Sequence, residues 1–209
     1  MGLRPTLIGA SMGRPRADAH SVPTKKRILD AAEMAFGSHP YAEARLADIA
    51  KVAELRRPSL LYHFPTKDDL HEAVVDRLFG ALLMRFVQVD EQGGSPLQTI
   101  DALFQVWVDF IAERPAFAPL VLRGILDGQP AIRDRLEGQL VPLLDQIEVT
   151  IRAAGAAPHS ISVRSALLQV GSTTLVRAAS GSLGPALWGD EDAMLTVRRL
   201  FDLPVDGTP

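Results

Sequence analysis

His20, His39, His63, His71 and His159 are the only imidazoles in this 209-residue chain. No two of them stand four residues apart, and His71-Glu72 lacks the second histidine of a zinc-protease helix, so the spacing excludes a metal site of that kind. Cysteine is absent, which excludes disulfides, zinc-thiolate sites, iron–sulfur clusters and thiol nucleophiles. Ser59 and Ser165 lack the flanking glycines of a nucleophile elbow, and no glycine-rich phosphate loop follows a strand. Asp101 and Asp109, on either side of Trp107, read as the solvated edge of one helix rather than as an acid/base pair. The expectation is a protein without catalytic residues, metal or cofactor.

A different chemistry is concentrated in one short stretch. Arg45, Arg56, Arg57, Ser59, Tyr62, His63 and Lys67 are hydrogen-bond donors of the kinds that bind phosphates and base edges. Singly, each basic residue among them reads as an ordinary surface charge, and His63 as a solvated surface histidine. Their clustering on one motif favours the nucleic-acid reading. The charge balance agrees: residues 1–67 carry 11 Lys and Arg against 6 Asp and Glu, whereas 68–209 carry 11 against 19. A basic head on an acidic body suits a polyanion-binding unit joined to one that avoids polyanions.

The elements that position these residues are short. Thr24 is placed to cap a helix to about Gly37, with Ile28, Leu29, Ala32, Ala35 and Phe36 at helical spacing. Leu46, Ile49, Ala50 and Ala53 form one apolar stripe over about 45–53. After the turn Glu54-Leu55-Arg56, Pro58 opens a third helix. Leu60, Leu61 and Phe64 share one face of it, and Ser59, Tyr62 and His63 lie on the other. Thr66-Lys67-Asp68-Asp69 then begins a longer helix with a capping-box pattern. Two short helices joined by a tight turn behind a longer one form a helix-turn-helix unit, whose second short helix can enter a major groove.

Lys26-Arg27-Ile28-Leu29-Asp30-Ala31-Ala32, Ala47-Asp48-Ile49-Ala50, and above all Pro58-Ser59-Leu60-Leu61-Tyr62-His63-Phe64-Pro65-Thr66-Lys67 followed by Leu70, resemble the DNA-binding domain of TetR-family transcriptional regulators. The resemblance covers about residues 24–73, a third of the chain, and its last block is the specific one. Four positions depart from the family pattern. Glu54 stands where a turn glycine is usual and must enter the turn without glycine's freedom at positive φ. Arg56 replaces the serine that usually caps the recognition helix, Ala44-Arg45 replaces a Thr or Ser at the preceding helix start, and Leu61 replaces a frequent aromatic. The expected result is the same fold with more charge-driven, salt-sensitive DNA contact.

Proline and glycine divide the remainder into helices near 68–90, 96–113, 115–127, 130–154, 159–182 and 190–202, with Ser95 capping the second. Pro142 is expected to kink or split the fourth. There is no period-2 pattern, so the fold class is all-α. An N-terminal three-helix helix-turn-helix domain (23–67) is followed by an all-helical domain (68–209). Residues 1–22, broken by Pro5, Gly9, Gly13 and Pro15, read as a flexible basic arm. Within it, Met12-Gly13-Arg14-Pro15-Arg16 admits two compatible readings, a minor-groove reader and a natural start of the chain at Met12. Charge-free stretches reach only 12 residues, at 165–176 and 178–189, too short to span a bilayer. With no secretory signal evident, a cytoplasmic protein with no membrane partner is expected.

In TetR-family proteins a central cavity binds the inducer, so the resemblance implies Phe86, Phe104, Trp107, Phe110 and Phe117 as candidate lining. The alternative is that they are simply core. With few polar groups available, a ligand would be apolar or aromatic. The helix over 159–182 carries Leu167, Leu168, Gly171, Leu175 and Ala178 among small residues that allow close approach. It is either a core helix or half of a two-fold interface, and the resemblance favours a homodimer. The function implied is a repressor released from a palindromic operator in double-stranded DNA by a small apolar ligand. Arg45 and Lys67 would hold phosphates, Arg56 a phosphate or the groove edge, Arg57 and Ser59 base edges, and Tyr62 and His63 the backbone. Two recognition helices about 34 Å apart would read successive major grooves. The competing readings are an apolar-ligand carrier or small enzyme with an incidental basic head, and a constitutive DNA-binding protein whose body only dimerises.

Overall fold

The computed structural model describes residues 23–158, 161–189, 192–201 and 203. The arm, with its Met12–Arg16 segment and His20, lies outside these residues, as do His159, Asp190 and Glu191. The described residues form eleven α-helices and no strand. The head comprises α1 (Thr24–Ser38), α2 (Leu46–Val52) and α3 (Arg57–His63). The body follows as α4 (Lys67–Gln92), α5 (Pro96–Glu113), α6 (Phe117–Leu126), α7 (Pro130–Arg135), α8 (Val141–Ala153), α9 (Val163–Ala179), α10 (Gly184–Trp188) and α11 (Ala193–Leu200). The region 130–154, expected as one kinked helix, is three pieces. A π-helical turn, Leu136–Leu140, separates α7 from α8. The 3-10 turn Gly181–Leu183 and α10 lie where the sequence reading left either the end of a helix or a loop.

Helix starts follow local chemistry where the residues allow it. Ser95 and Gln98 form a reciprocal capping box on α5. At the start of α4 the Asp69 N–H donates to Thr66 Oγ1 at 3.0 Å while Thr66 N–H and hydroxyl donate to Asp69 Oδ2, satisfying donors that a helix start otherwise leaves open. Ser162 caps α9 and Asp192 caps α11. The expected Thr24 cap is absent: Pro23 occupies the cap position and Thr24 is already helical. Arg45 and Arg56 occupy the cap positions of α2 and α3 and make no side-chain cap bond, because a guanidinium has no acceptor to offer.

Pro142 explains the π-helical turn. It has no N–H to give the carbonyl four residues back, and its ring would collide with that carbonyl, Gly138. Widening the preceding turn removes the conflict, and the Val141 N–H donates to Leu136 O, five residues earlier.

Two apolar clusters fill the interior. The first runs from Ile28, Phe36, Ile49 and Leu60 in the head through Leu70, Val74 and Leu78 of α4 to Phe110, Phe117 and Ile132. The second joins Ile100 and Phe104 of α5 to Ile151, Leu167, Val170, Met194 and Phe201. Among the described residues, only α5 contributes buried residues to both. Head and body are therefore not separately packed. Glu33, buried on α1, pairs with Arg77 of α4 at 2.7 Å and with Arg114 beyond α5 at 3.4 Å, and the Arg123 guanidinium of α6 donates to Gly37 O at 2.8 Å. Helices α1 and α6 meet at Gly37, where an added Cβ would lie 2.5 Å from the Ala116 Cβ and 2.7 Å from its Cα.

Gly37→Ala is therefore expected to force the two backbones apart and lower stability by about 2 kcal/mol, read as a fall in the urea midpoint. Glu54, at φ 54°, is the one non-glycine at positive φ among the described residues. Its salt bridge to Arg27, 3.0 Å, is largely exposed and worth little. Glu54→Gly should relieve the backbone strain and raise stability by up to about 1 kcal/mol, measured in the same way.

Candidate nucleic-acid interface and internal cavity

The α2–α3 pair is built by burying one side of each short helix. Ile49 and Ala50 of the first with Ala53 at its end, and Leu60 of the second with Phe64 at its end, are within the head core. A seven-residue helix is too short to hold itself, so this burial orients α3. The opposite side of α3 is left to solvent. Arg57, Ser59 and His63 are exposed, Tyr62 is 85% exposed, and its ring stands edge-on to His63 at 5.3 Å. Arg45 and Arg56 are exposed as well. Among the described residues none of these three arginines has a salt-bridge partner. A bulky aromatic and the unpaired guanidiniums of Arg56 and Arg57 on one short helix, with Arg45 at the start of α2, form a donor-rich surface of the kind that fits a groove.

Lys67 is arranged differently. Its ammonium lies over the Tyr41 ring at 4.4 Å and donates to Ala42 O at 3.3 Å, so part of its bonding capacity already holds the α1–α2 loop. Burial lowers its pKa, against the pull of Asp68. Beneath it, the Tyr41 hydroxyl donates to Asp68, and burial together with that bond raises the phenol's pKa. Sequence reasoning missed Arg27, which donates to Ala53 O and to the Glu54 carboxylate and so braces the turn between α2 and α3. The unusual Glu54 was the signal for such a brace.

His71 sits behind this corner, 6% exposed, edge-on to Phe36 at 4.9 Å and to Tyr41 at 5.0 Å. Burial pushes its pKa below the ordinary 6.5; Asp68 opposes that and Lys67 adds to it.

Where the two clusters fail to meet, a cavity of about 380 Å³ opens between α4, α5, α6, the π-helical turn, α8 and α9, within the size range of small-molecule sites. Phe86, Phe104, Trp107 and Phe117 border it; Phe110 does not. Phe110 is fully buried, packed edge-on against Phe117 at 5.1 Å and beneath Arg85, because its direction on α5 places it in the first cluster. Leu167, Leu168, Gly171 and Leu175, assigned above to a subunit interface, border the same cavity. Leu167 is nearly buried within the protomer and is withdrawn from that interface. Leu168 is 52% exposed and Ala178 is exposed without lining the cavity. Leu136, Gln139 and Leu140 of the π-helical turn also line it and were not foreseen. Pro142 marked the distortion but not its direction.

Asp101, read as a solvated edge, bonds Arg198 at 2.8 Å and ties α5 to the last helix, while Asp109 accepts from Gln105 at 2.9 Å. Among the described residues no group of three or more His, Cys, Asp or Glu is placed to hold a metal ion. Nor is any helix among them long and apolar enough to cross a membrane.

The arrangement is a helix-turn-helix head fused to an all-helical body around an apolar cavity. The sequence model described as "Bacterial regulatory proteins, tetR family" matches residues 28–74. The chain is 30% identical over 122 residues to the HTH-type transcriptional regulator RutR of Escherichia coli, covering 58% of this chain and 57% of RutR. It is 32% identical over 87 residues to IcaR of Staphylococcus aureus, a negative transcriptional regulator of a biofilm operon, covering 42% and 45% of the two chains. The chain thus spans about half the length of these curated relatives. A crystal structure of a mutant HlyIIR protein superposes with a TM-score of 0.69 at 19% identity, covering 87% of this chain and 97% of the other. The fatty acid degradation regulator FadR of Bacillus halodurans gives 0.67 at 17%, covering 87% and 94%. The head is thus similar in sequence to the TetR-family helix-turn-helix domain, and the fold as a whole is similar to these solved structures.

The folded protein resists protonating His71, whereas the unfolded chain takes up that proton near pH 6.5. This stability contribution is complete above about pH 6.5 and declines as the pH falls below it. Urea midpoints measured at about pH 7.5 and pH 5.5 are expected to drop on acidification. His71→Phe, which keeps a ring against Phe36 and Tyr41 without a titrating group, should reduce that drop.

Proposed function

We propose that the protein is a DNA-binding transcriptional repressor, acting in the cytoplasm as a homodimer on a palindromic operator and released by a small apolar ligand. The observation that carries the reading is the exposed, donor-rich ridge of α3, held by the same apolar cluster that borders the cavity. Arg45 and Arg56 bind phosphates, Arg57 and Ser59 face base edges, and Tyr62 and His63 fix orientation on the backbone. Lys67, already committed to Ala42 O and Tyr41, contributes a weaker phosphate contact.

Two mechanical links carry the ligand's effect to α3. Helix α4 runs without interruption from Lys67, beside the recognition helix, to Phe79, Leu82 and Phe86 on the cavity wall, and at about 1.5 Å per residue it behaves as one lever. Helix α6 offers Phe117 and Val121 to the cavity and meets α1 at the Gly37–Ala116 contact. A ligand that displaces either helix rotates the head. In a two-fold dimer this changes the separation of the two recognition helices, and only one separation fits successive grooves. The second copy would dock on the exposed side of α9 and its neighbours, including Leu168 and Ala178.

The test is fluorescence-anisotropy binding to DNA flanking the protein's own gene at two salt concentrations. Arg57→Ala with Tyr62→Ala should weaken binding at least tenfold and relax sequence preference, without moving the thermal midpoint, since both side chains are exposed. Arg45→Ala should weaken binding to all sequences alike and flatten the salt dependence by about one unit of slope. Weak, salt-dominated binding untouched by these changes would overturn the reading.

A further inference from the structure

The cavity is not closed within one protomer. Ile125, Val141 and Leu168, three of its lining residues, are each about half exposed, and Ser172 is exposed as well. They come from the end of α6, the start of α8 and the middle of α9, so the mouth lies between these three helices. Leu126, next to Ile125, is almost wholly exposed. An apolar ligand gains by the surface it withdraws from water, and small-molecule sites bury most of their ligand. Left open, this cavity would keep one side of its ligand wet and leave a rim of large apolar side chains uncovered.

Leu168 and Ser172 belong to a second feature. In a chain of which 22% is charged, every exposed residue from Ser165 to Gly189 is uncharged, and the single charged side chain in that stretch, Arg177, is half-buried. Leu168, Val176, Leu183 and Leu187 are the large apolar residues exposed along it. Depletion of charge marks the centre of a protein interface. A surface that meets its own copy across a two-fold axis has a particular need of it, because a charge near the axis faces its equivalent at close range. The occupant that fits this surface is a second copy of the chain rather than a charged partner.

We infer that the second copy closes the cavity mouth, so that each ligand site is complete only in the dimer. This deepens the ligand-responsive, homodimeric reading above and rests on it. Leu168 and Ser172 are at once cavity wall and part of the uncharged surface, so a copy seated on that surface lies over the mouth. Closure also covers the apolar rim. Ligand binding and dimerisation are then coupled, and each strengthens the other by the same factor.

The probe is N-phenyl-1-naphthylamine, an uncharged aromatic whose fluorescence rises in apolar surroundings. Its affinity for the full chain is measured alongside the dimer dissociation constant, the latter by sedimentation with and without the probe. Val176→Glu with Ala179→Glu sets like charges on the uncharged surface without touching the cavity, since neither residue lines it. This double variant is expected to be monomeric, to keep its helical content by circular dichroism, and to bind the probe about tenfold more weakly. Val149→Glu, at an exposed apolar position on α8 outside both features, should change neither property. In the unmodified chain, saturating probe should tighten the dimer by the same factor, a measurement that needs no variant. Equal probe affinity in the monomeric variant and the unmodified dimer would overturn the closure and leave a cavity complete in one protomer. An unmodified chain that stays monomeric, or a double variant that still dimerises, would overturn the docking surface and the closure with it. Failure of the unmodified chain to bind the probe would overturn the ligand-cavity reading itself.

Discussion

Gly37 and Ala116 approach so closely that not one methyl group can be added between them, and the relation of head to body rests on that contact. It sets the backbone of α1 against the start of α6, where an Arg123 hydrogen bond to Gly37 O holds it from one side. Close-packed interiors transmit displacement rather than absorb it. A shift of α6, whose residues also border the cavity, is thus passed to α1 and from α1 to the helices packed on it.

The buried carboxylate of Glu33 reinforces the same joint. Its partners, Arg77 and Arg114, lie on α4 and just beyond α5, so one acidic group on the head bonds two parts of the body. Such a pair is a poor source of net stability, because desolvation offsets much of the attraction. Its value lies in geometry: either arginine moving away leaves a buried charge less well matched, which favours discrete arrangements over gradual deformation. The cavity has a related origin. Two apolar clusters share α5 but do not close on each other, and the π-helical turn forced by Pro142 forms part of the wall between them.

The recognition unit was legible in the residue pattern because its determinants are local. The faces of α3 follow from the spacing of Leu60, Leu61 and Phe64 against Ser59, Tyr62 and His63, and a seven-residue helix allows little else. The strain at Glu54 was legible too, since an acidic residue at a turn position that favours glycine must accept a positive φ. Arg27 as its brace was not, for the bond spans 27 residues. The caps at Ser95 and Thr66 were predictable from residues three apart. Pro23 in place of Thr24 was not, as either can precede a helix.

What the sequence by itself determined is the all-helical class, the basic head and the exposed side of α3, each set by period and charge along neighbouring residues. Tertiary structure decided which apolar residues bound empty space and which fill the core. Phe104, Trp107 and Phe110 occupy one helix with similar chemistry, yet the first two line the cavity and the third is packed beneath Arg85. Leu167, fit by its pattern for a subunit interface, faces inward. The physical reason is that burial is nearly indifferent to direction. Any apolar residue gains by leaving water, and only the positions of the surrounding helices fix what it meets there.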